Sequence, residues 1–231
     1  MEHTISGVGV VDKSVRVLDA VAAAAGPCTL AELVESTGLP KATAHRLASA
    51  LEVHGLLRRD AEGRYLLGVR LIGLGRAASE DWPLAEAARP ALERLRTDTG
   101  ESVQLYRRDG QHRVCVVSLE SPHELRTIVP QGARLPLGRG SAGRILAGET
   151  PVGTGWTESI GERAPGVASV SAPVVVDGRL VAAVGISGPV GRLGERPGER
   201  HGAAVVAAAA EVAIAARTVG ACPTGTIARQ G

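Results

Sequence analysis

The run from Thr29 to Tyr65 constrains this chain more than any other stretch. Thr29-Leu30-Ala31-Glu32 has the spacing of a capping box, in which the threonine hydroxyl takes a free amide of the first helical turn and the glutamate reaches back to the cap. A helix is expected to start there, with Leu30, Leu33 and Val34 as its apolar stripe and Gly38 as the left-handed residue that ends it. Leu39 and Pro40 then open a second helix, the proline ring being suited to a first turn. In that helix Ala44, Leu47, Ala48 and Leu51 recur at helical spacing and form a buried face, while Ala42, His45, Arg46 and Ser49 point away from it. Leu56-Leu57-Arg58-Arg59 and Arg64-Tyr65-Leu66-Leu67 read as two short strands around a turn at Asp60-Ala61-Glu62-Gly63. Helix, tight turn, helix and basic hairpin is the layout of a winged helix-turn-helix, and it implies double-stranded DNA as partner.

The outward side of the second helix is small and polar, so its backbone can come close to a major groove. Ala42 leaves room there, Arg46 can pair with guanine edges or phosphate, and Lys41, Thr43, His45 and Ser49 can donate to either. On the wing, Arg58, Arg59 and Arg64 are placed for backbone phosphates. A plain helical hairpin with a solvated polar face would account for the two helices alone, but not for the basic hairpin that follows them. With 26 basic and 24 acidic side chains the formal net charge is only +2, so no bulk field draws in nucleic acid and the footprint is local. Glu52, Asp60 and Glu62 temper it further, which points to weak non-specific affinity and to dimerisation.

A length of 231 residues allows two modest domains, each with its own core. The chain has no Phe, two Trp and two Tyr, so those cores are built from Val, Leu, Ile and Ala. Cys28, Cys115 and Cys222 have neither CxxC spacing nor an even count, which argues against a disulfide framework or a zinc site. No signal peptide and no long uncharged apolar run is found, and a cytoplasmic location without membrane contact is expected.

Residues 1–10 read as a flexible lead. Val11, Val15, Leu18 and Val21 with Ala22 predict a helix that completes the three-helix head over 11–68, and Val69 to Gly75 opens a linker helix over 69–82. In the region 83–219, a helix from about Pro83 to Asp98 carries Leu84, Ala88, Ala91, Leu92 and Leu95 on one face. Val103 to Arg107 and Val114 to Leu119 flank Asp109-Gly110 as a hairpin, and Leu125 to Val129 is expected to add a strand. Ser141 to Ala147 reads as a short helix. Val167 to Val176 and Leu180 to Ser187 pair around Asp177-Gly178, and an alanine-rich helix from Ala203 to Ala216 follows. Hairpins without regular strand-helix alternation indicate an α+β class, an antiparallel sheet with packed helices. Residues 220–231 read as a disordered tail.

Nearly the whole chain resembles the IclR family of transcriptional regulators, and within it the actinobacterial regulators of amino-acid metabolism. Leu39-Pro40-Lys41-Ala42-Thr43-Ala44-His45-Arg46-Leu47 is similar to the family's recognition helix. Gly155, Ser159, Glu162, Ser169-Val170-Ser171 and Val174 stand at the spacing of its effector-domain signature, although Val175-Val176 replaces the usual ending. Leu135-Pro136-Leu137 and Ser187-Gly188-Pro189 match as well. The resemblance implies a winged helix, a linker helix and a GAF-like ligand-binding domain, assembled as a homodimer or homotetramer. It also implies a small carboxylate or amino-acid effector held at Gly140 and Ser141, with polar contacts from Ser159, Ser169 and Ser187 and an apolar wall at Val167. Free amides at the start of the Ser141 helix suit an anion. Gly185 stands where many relatives carry Ser, removing a donor and leaving room for a larger ligand group. Ala147 to Gly155 is shorter than in relatives, whose additional helices cover one side of the domain.

Gly138-Arg139-Gly140-Ser141-Ala142-Gly143 fits GxGxxG, but the run before it is short, contains Pro136 and lacks a strand-helix-strand frame, so no nucleotide cofactor is expected. Gly185-Ile186-Ser187-Gly188-Pro189 lacks the last glycine of a nucleophile elbow, and no His pairs with a Ser at a recognisable spacing. No catalytic residue, metal ligand or cofactor is expected. Two functions follow: a ligand-responsive DNA-binding regulator, or a small-molecule sensor that acts through protein contacts with a head that no longer reads DNA.

Overall fold

The computed structural model describes residues 7–80, 83–151 and 153–219, with the side chains of 79 and 80 left aside. The expected tail at 220–231, Cys222 and the first six residues of the lead lie outside the described residues. The chain divides into two compact units at Asp81/Trp82.

The first unit holds α1 (Gly9–Ala23), α2 (Leu30–Thr37), α3 (Lys41–Val53), β1 (Leu57–Arg59), β2 (Tyr65–Leu67) and α4 (Arg70–Glu80). Helix α1 begins at Gly9, so the last two residues of the expected lead are helical. Val8 offers its carbonyl to the amides of Val11 and Asp12, and Asp12 puts a negative charge in the first turn, where the helix dipole favours it. The capping box of α2 is complete: Glu32 N–H donates to Thr29 Oγ1 at 3.3 Å and Thr29 N–H to Glu32 Oε2 at 2.7 Å. Gly38 ends α2 at φ +65° with its amide on the Val34 carbonyl. Pro40 is the residue before α3, and its carbonyl takes the amides of Thr43 and Ala44. Val17, Val21, Leu33, Leu47, Leu51, Leu57 and Tyr65 make one core.

Cys28 adds a contact that its sequence context does not announce. It exchanges both backbone hydrogen bonds with Tyr65, at 2.8 and 2.7 Å, so the entry to α2 is a third rung of the wing. Gly68 closes the hairpin against Gly55, where a Cβ would stand 2.0 Å from the Gly55 carbonyl oxygen. Only glycine fits that crossing.

The second unit begins with α5 (Pro83–Thr99), then β3 (Ser102–Asp109), β4 (His112–Leu119), β5 (Arg134–Pro136) and α6 (Ser141–Ala147). It continues with β6 (Thr157–Ile160), β7 (Val167–Val176), β8 (Arg179–Pro189), α7 (Val190–Leu193) and α8 (Pro197–Thr218). The strands form one antiparallel sheet in the order β5-β4-β3-β8-β7-β6. Alternate residues sort its two faces. Val103, Leu105, Val170, Val184 and Ile186 pack against α5 and α8, while Tyr106, Cys115 and Ala183 pack against α6.

The expected strand at Leu125 to Val129 is not formed. Pro122 and Pro130 frame that segment and Leu125 and Ile128 are exposed, so its backbone finds partners other than a strand. Arg192 Nη1 donates to the Leu125 carbonyl at 3.1 Å, and the third rung beyond β4 comes from β5 instead. Arg192 also grips Glu101 through both carboxylate oxygens, and Glu101 lies in a slot that requires Gly188, whose Cβ would be 2.2 Å from Glu101 Oε2.

Candidate DNA-reading head and effector cavity

Helix α3 meets the core through Ala44, Leu47, Ala48 and Leu51. On its other side Lys41, Ala42, His45 and Arg46 are exposed, and Thr43 and Ser49 are half-buried. Neither Lys41 nor Arg46 has a side-chain hydrogen bond or ion pair among the described residues. The wing divides differently. Arg59 Nε donates to Glu52 Oε2 at 3.0 Å and its guanidinium lies over the Tyr65 ring, 4.7 Å from the centroid. Arg64 is bonded to Asp60 at 2.7 Å and Glu62 at 3.0 Å. Asp60 Oδ1 accepts the amides of Glu62 and Arg64, which sets the turn. Arg58 is exposed and has no such partner among the described residues.

In the second unit, strand register assembles what the sequence scatters. Ser159 on β6 stands opposite Ser169 on β7, and Ser169 stands opposite Ser187 on β8. One row of the sheet thus carries three serines on adjacent strands, facing α6. Ser141 at the start of α6 closes the row, its Oγ 2.8 Å from Ser169 Oγ and 2.8 Å from Ser171 Oγ. Gly140, Ser141, Ser159, Val167, Ser169 and Ser187 all line a single cavity of about 20 Å³, enough for about one water molecule.

The helix start, where a carboxylate was expected, already has one. Glu162 Oε2 accepts Gly140 N–H at 2.8 Å, and Glu162 Oε1 accepts from Arg144 Nη1 at 2.9 Å. Arg144 is shared with Glu149, whose two oxygens it grips at 2.7 and 2.8 Å. Hydrogen bonding to these carboxylates pushes the Arg144 guanidinium above its ordinary range. The space expected at Gly185 is also filled: a Cβ there would be 2.2 Å from Ser171 Oγ and 2.8 Å from the Val170 carbonyl. The Ser171 hydroxyl on β7 occupies that place.

Sequence reasoning missed Gln104, Tyr106, Arg113, Arg163 and Ser171, which line the same cavity. Arg113 is 3% exposed; its Nη1 donates to the Arg139 carbonyl and its guanidinium lies 5.1 Å from the Tyr106 ring centroid. Burial lowers its pKa, and burial raises that of Tyr106. Gly143 makes room for it, since a Cβ there would collide with Arg113 Nη1. A signal was available in both strands: Gln104 interrupts Val103 and Leu105, and Arg113 stands in phase with Cys115. Burial pushes the Cys115 thiol up to about 12, so it is an inert part of this layer.

The glycine-rich run before α6 is no dinucleotide loop, because β5 ahead of it is an antiparallel edge strand of three residues. No group of His, Cys, Asp and Glu able to hold a metal occurs among the described residues, and no described helix is long and apolar enough to cross a membrane.

Comparison with known proteins assigns both units. Residues 10–61 match the IclR helix-turn-helix domain and residues 77–152 match the C-terminal domain of bacterial IclR transcriptional regulators. The chain is 37% identical over 123 residues to the transcriptional regulator KipR of Bacillus subtilis, an alignment covering 53% of this chain and 49% of that protein. It is 24% identical to the transcriptional repressor IclR of Escherichia coli over 88% of each. An IclR-family regulator from Rhodococcus sp. is 32% identical over 93% of this chain and 96% of its own, with a TM-score of 0.53. An IclR homolog of Microbacterium hydrocarbonoxydans, solved with 4-hydroxybenzoate, shares the fold at a TM-score of 0.75 and 21% identity, over 90% of this chain and 99% of its own. Head, sheet and helices agree with these relatives, and this chain belongs to the IclR family of DNA-binding transcriptional regulators.

Proposed function

We propose that the protein acts as a homodimer or homotetramer that presents paired α3 helices to a pseudo-palindromic operator, and that a small carboxylate effector modulates operator affinity. The effector would be an amino acid or short keto acid, and the regulated genes would belong to amino-acid metabolism. Repression is the favoured direction, since relatives include the repressor IclR and the acetate operon repressor of Salmonella typhimurium. The observation that carries the reading is the outward face of α3, where Lys41 and Arg46 stand exposed beside small Ala42. Lys41, Thr43, His45 and Ser49 would share base and phosphate contacts with Arg46, and Arg58 would lead on the wing. Arg59 and Arg64 would join only after leaving their acidic partners.

Effector binding would bias the placement of the heads by no more than the ligand's differential affinity for the two arrangements. The homolog from Microbacterium hydrocarbonoxydans was solved with 4-hydroxybenzoate, itself a small carboxylate, which supports an effector of that class. The ion pairs of Arg59 and Arg64 give the second reading, a sensor acting through protein contacts, its only specific support.

Mobility shift against DNA upstream of the protein's own gene separates the two. A shift that Arg46→Ala weakens by about tenfold or more is expected, as for the loss of one bidentate base contact. Absence of any shift at about 50 mM salt, where phosphate contacts are strongest, would favour the sensor.

A further inference from the structure

Among the described residues three buried side-chain donors lack an acceptor: Arg16 Nε, Gln104 Nε2 and Arg113 Nε. Two of the three line the cavity under α6. Buried donors are rarely left unpaired, and two around one cavity describe a surface made to meet an acceptor. Gln104 turns its carbonyl oxygen to Ser187, at 3.0 Å, which leaves the amide NH2 as the group for a ligand. Arg113 has one hydrogen bond among the described residues, to a backbone carbonyl, and no carboxylate is bonded to it. Arg163 lines the same cavity with neither a hydrogen bond nor an ion pair among the described residues. The nearby carboxylate, Glu162, is committed to Gly140 and Arg144.

We infer that the effector's carboxylate is anchored by Arg113 and Gln104 on the sheet side of the cavity, not by the α6 start, and that Arg163 selects a small dicarboxylate. The inference rests on this cavity being the effector cavity proposed above. Two guanidiniums with no carboxylate bonded to either favour two negative charges, and an ammonium group would face both of them while Glu162 is engaged by Gly140 and Arg144. The ammonium group of an amino acid is disfavoured there, which narrows the small carboxylate proposed above to acids without one. The small volume demands a short ligand and a wall that moves. Arg163, half-buried and unbonded, is that wall, whereas Arg113 is held by Arg139 and Tyr106.

Isothermal titration of the full chain without DNA, at constant ionic strength, tests this with malonate, acetate and alanine as probes. Saturable malonate binding is expected, with acetate about tenfold weaker and alanine silent, the size of one charge-assisted contact. Arg163→Gln should bring malonate down to the acetate level, and Gln104→Leu should weaken both acids about tenfold, each with an unchanged circular dichroism spectrum. No malonate binding up to about 10 mM, equal binding of malonate and acetate, binding of alanine, or indifference to both substitutions would overturn the inference. Because DNA is absent, failure of operator binding would leave this result standing. Malonate binding without any change in operator affinity would remove the coupling and keep the anion site.

Discussion

Position 185 shows how a single residue is set by its neighbour rather than by its own chemistry. A glycine there reads, in sequence, as a lost donor and gained space, but Ser171 reaches across from β7 and fills that space. We expect Gly185→Ser to lower stability by about 1–3 kcal/mol, the usual cost of forcing atoms into a packed layer, read from urea unfolding. Ser171→Gly in the same chain should recover only part of this, because the Val170 carbonyl would still lie 2.8 Å from the new Cβ. Full stability in the single variant would contradict the packing described. The six serine, glycine and valine positions around the cavity were legible because they follow a family spacing. Gln104 and Arg113 were not, since a polar residue in a strand points to either face depending on register, and register is a tertiary property.

Elements whose signals are local matched their sequence closely. The capping box and Gly38 bound α2, and Asp177-Gly178 turns β7 into β8, Asp177 taking the left-handed φ of 51° that aspartate tolerates. Elements that depend on distant partners did not. Leu125 to Val129 carries strand-like residues, but β5 takes the place beside β4, and the Leu125 carbonyl accepts from Arg192 instead. Helix α8 starts at Pro197, earlier than its alanine-rich run, because Gly198 and Gly202 lie under the Trp156 indole and Glu158 Oε2 accepts Gly198 N–H at 2.8 Å. Gly202→Ala should gain about 1 kcal/mol of helix propensity. It would also put a Cβ 2.3 Å from Trp156 Nε1, and displacing the indole should cost about 3 kcal/mol, so net destabilisation is expected. In a Trp82→Phe background the emission of Trp156 should move to longer wavelength, and an unmoved spectrum would refute the contact.

For the molecule as a whole, acid should weaken both units. Thr29 amide and hydroxyl bonds hold the Glu32 carboxyl below its ordinary range, and the Arg144 guanidinium does the same for Glu149. At Asp60 burial acts upward but the backbone and side-chain bonds from Arg64 outweigh it. Carboxyls lowered in the folded state contribute stability that is complete above their unfolded pKa, about 4, and that is lost as pH falls through the lower folded values. Tm should therefore fall as pH drops below about 4, and Glu32→Gln with Glu149→Gln should flatten the decline; an unaltered slope would show that these groups do not govern it. Local signals were enough for the three-helix head, its wing and the antiparallel class of the second unit, because caps, turn residues and the periodicities of 3.6 and 2 act within a few residues. Strand packing settled which serines share a row, that Glu162 occupies the α6 start, and that buried Arg113 and Arg163 line one cavity. Those facts depend on strand order and register, which bring together residues far apart in the chain and out of reach of any local signal.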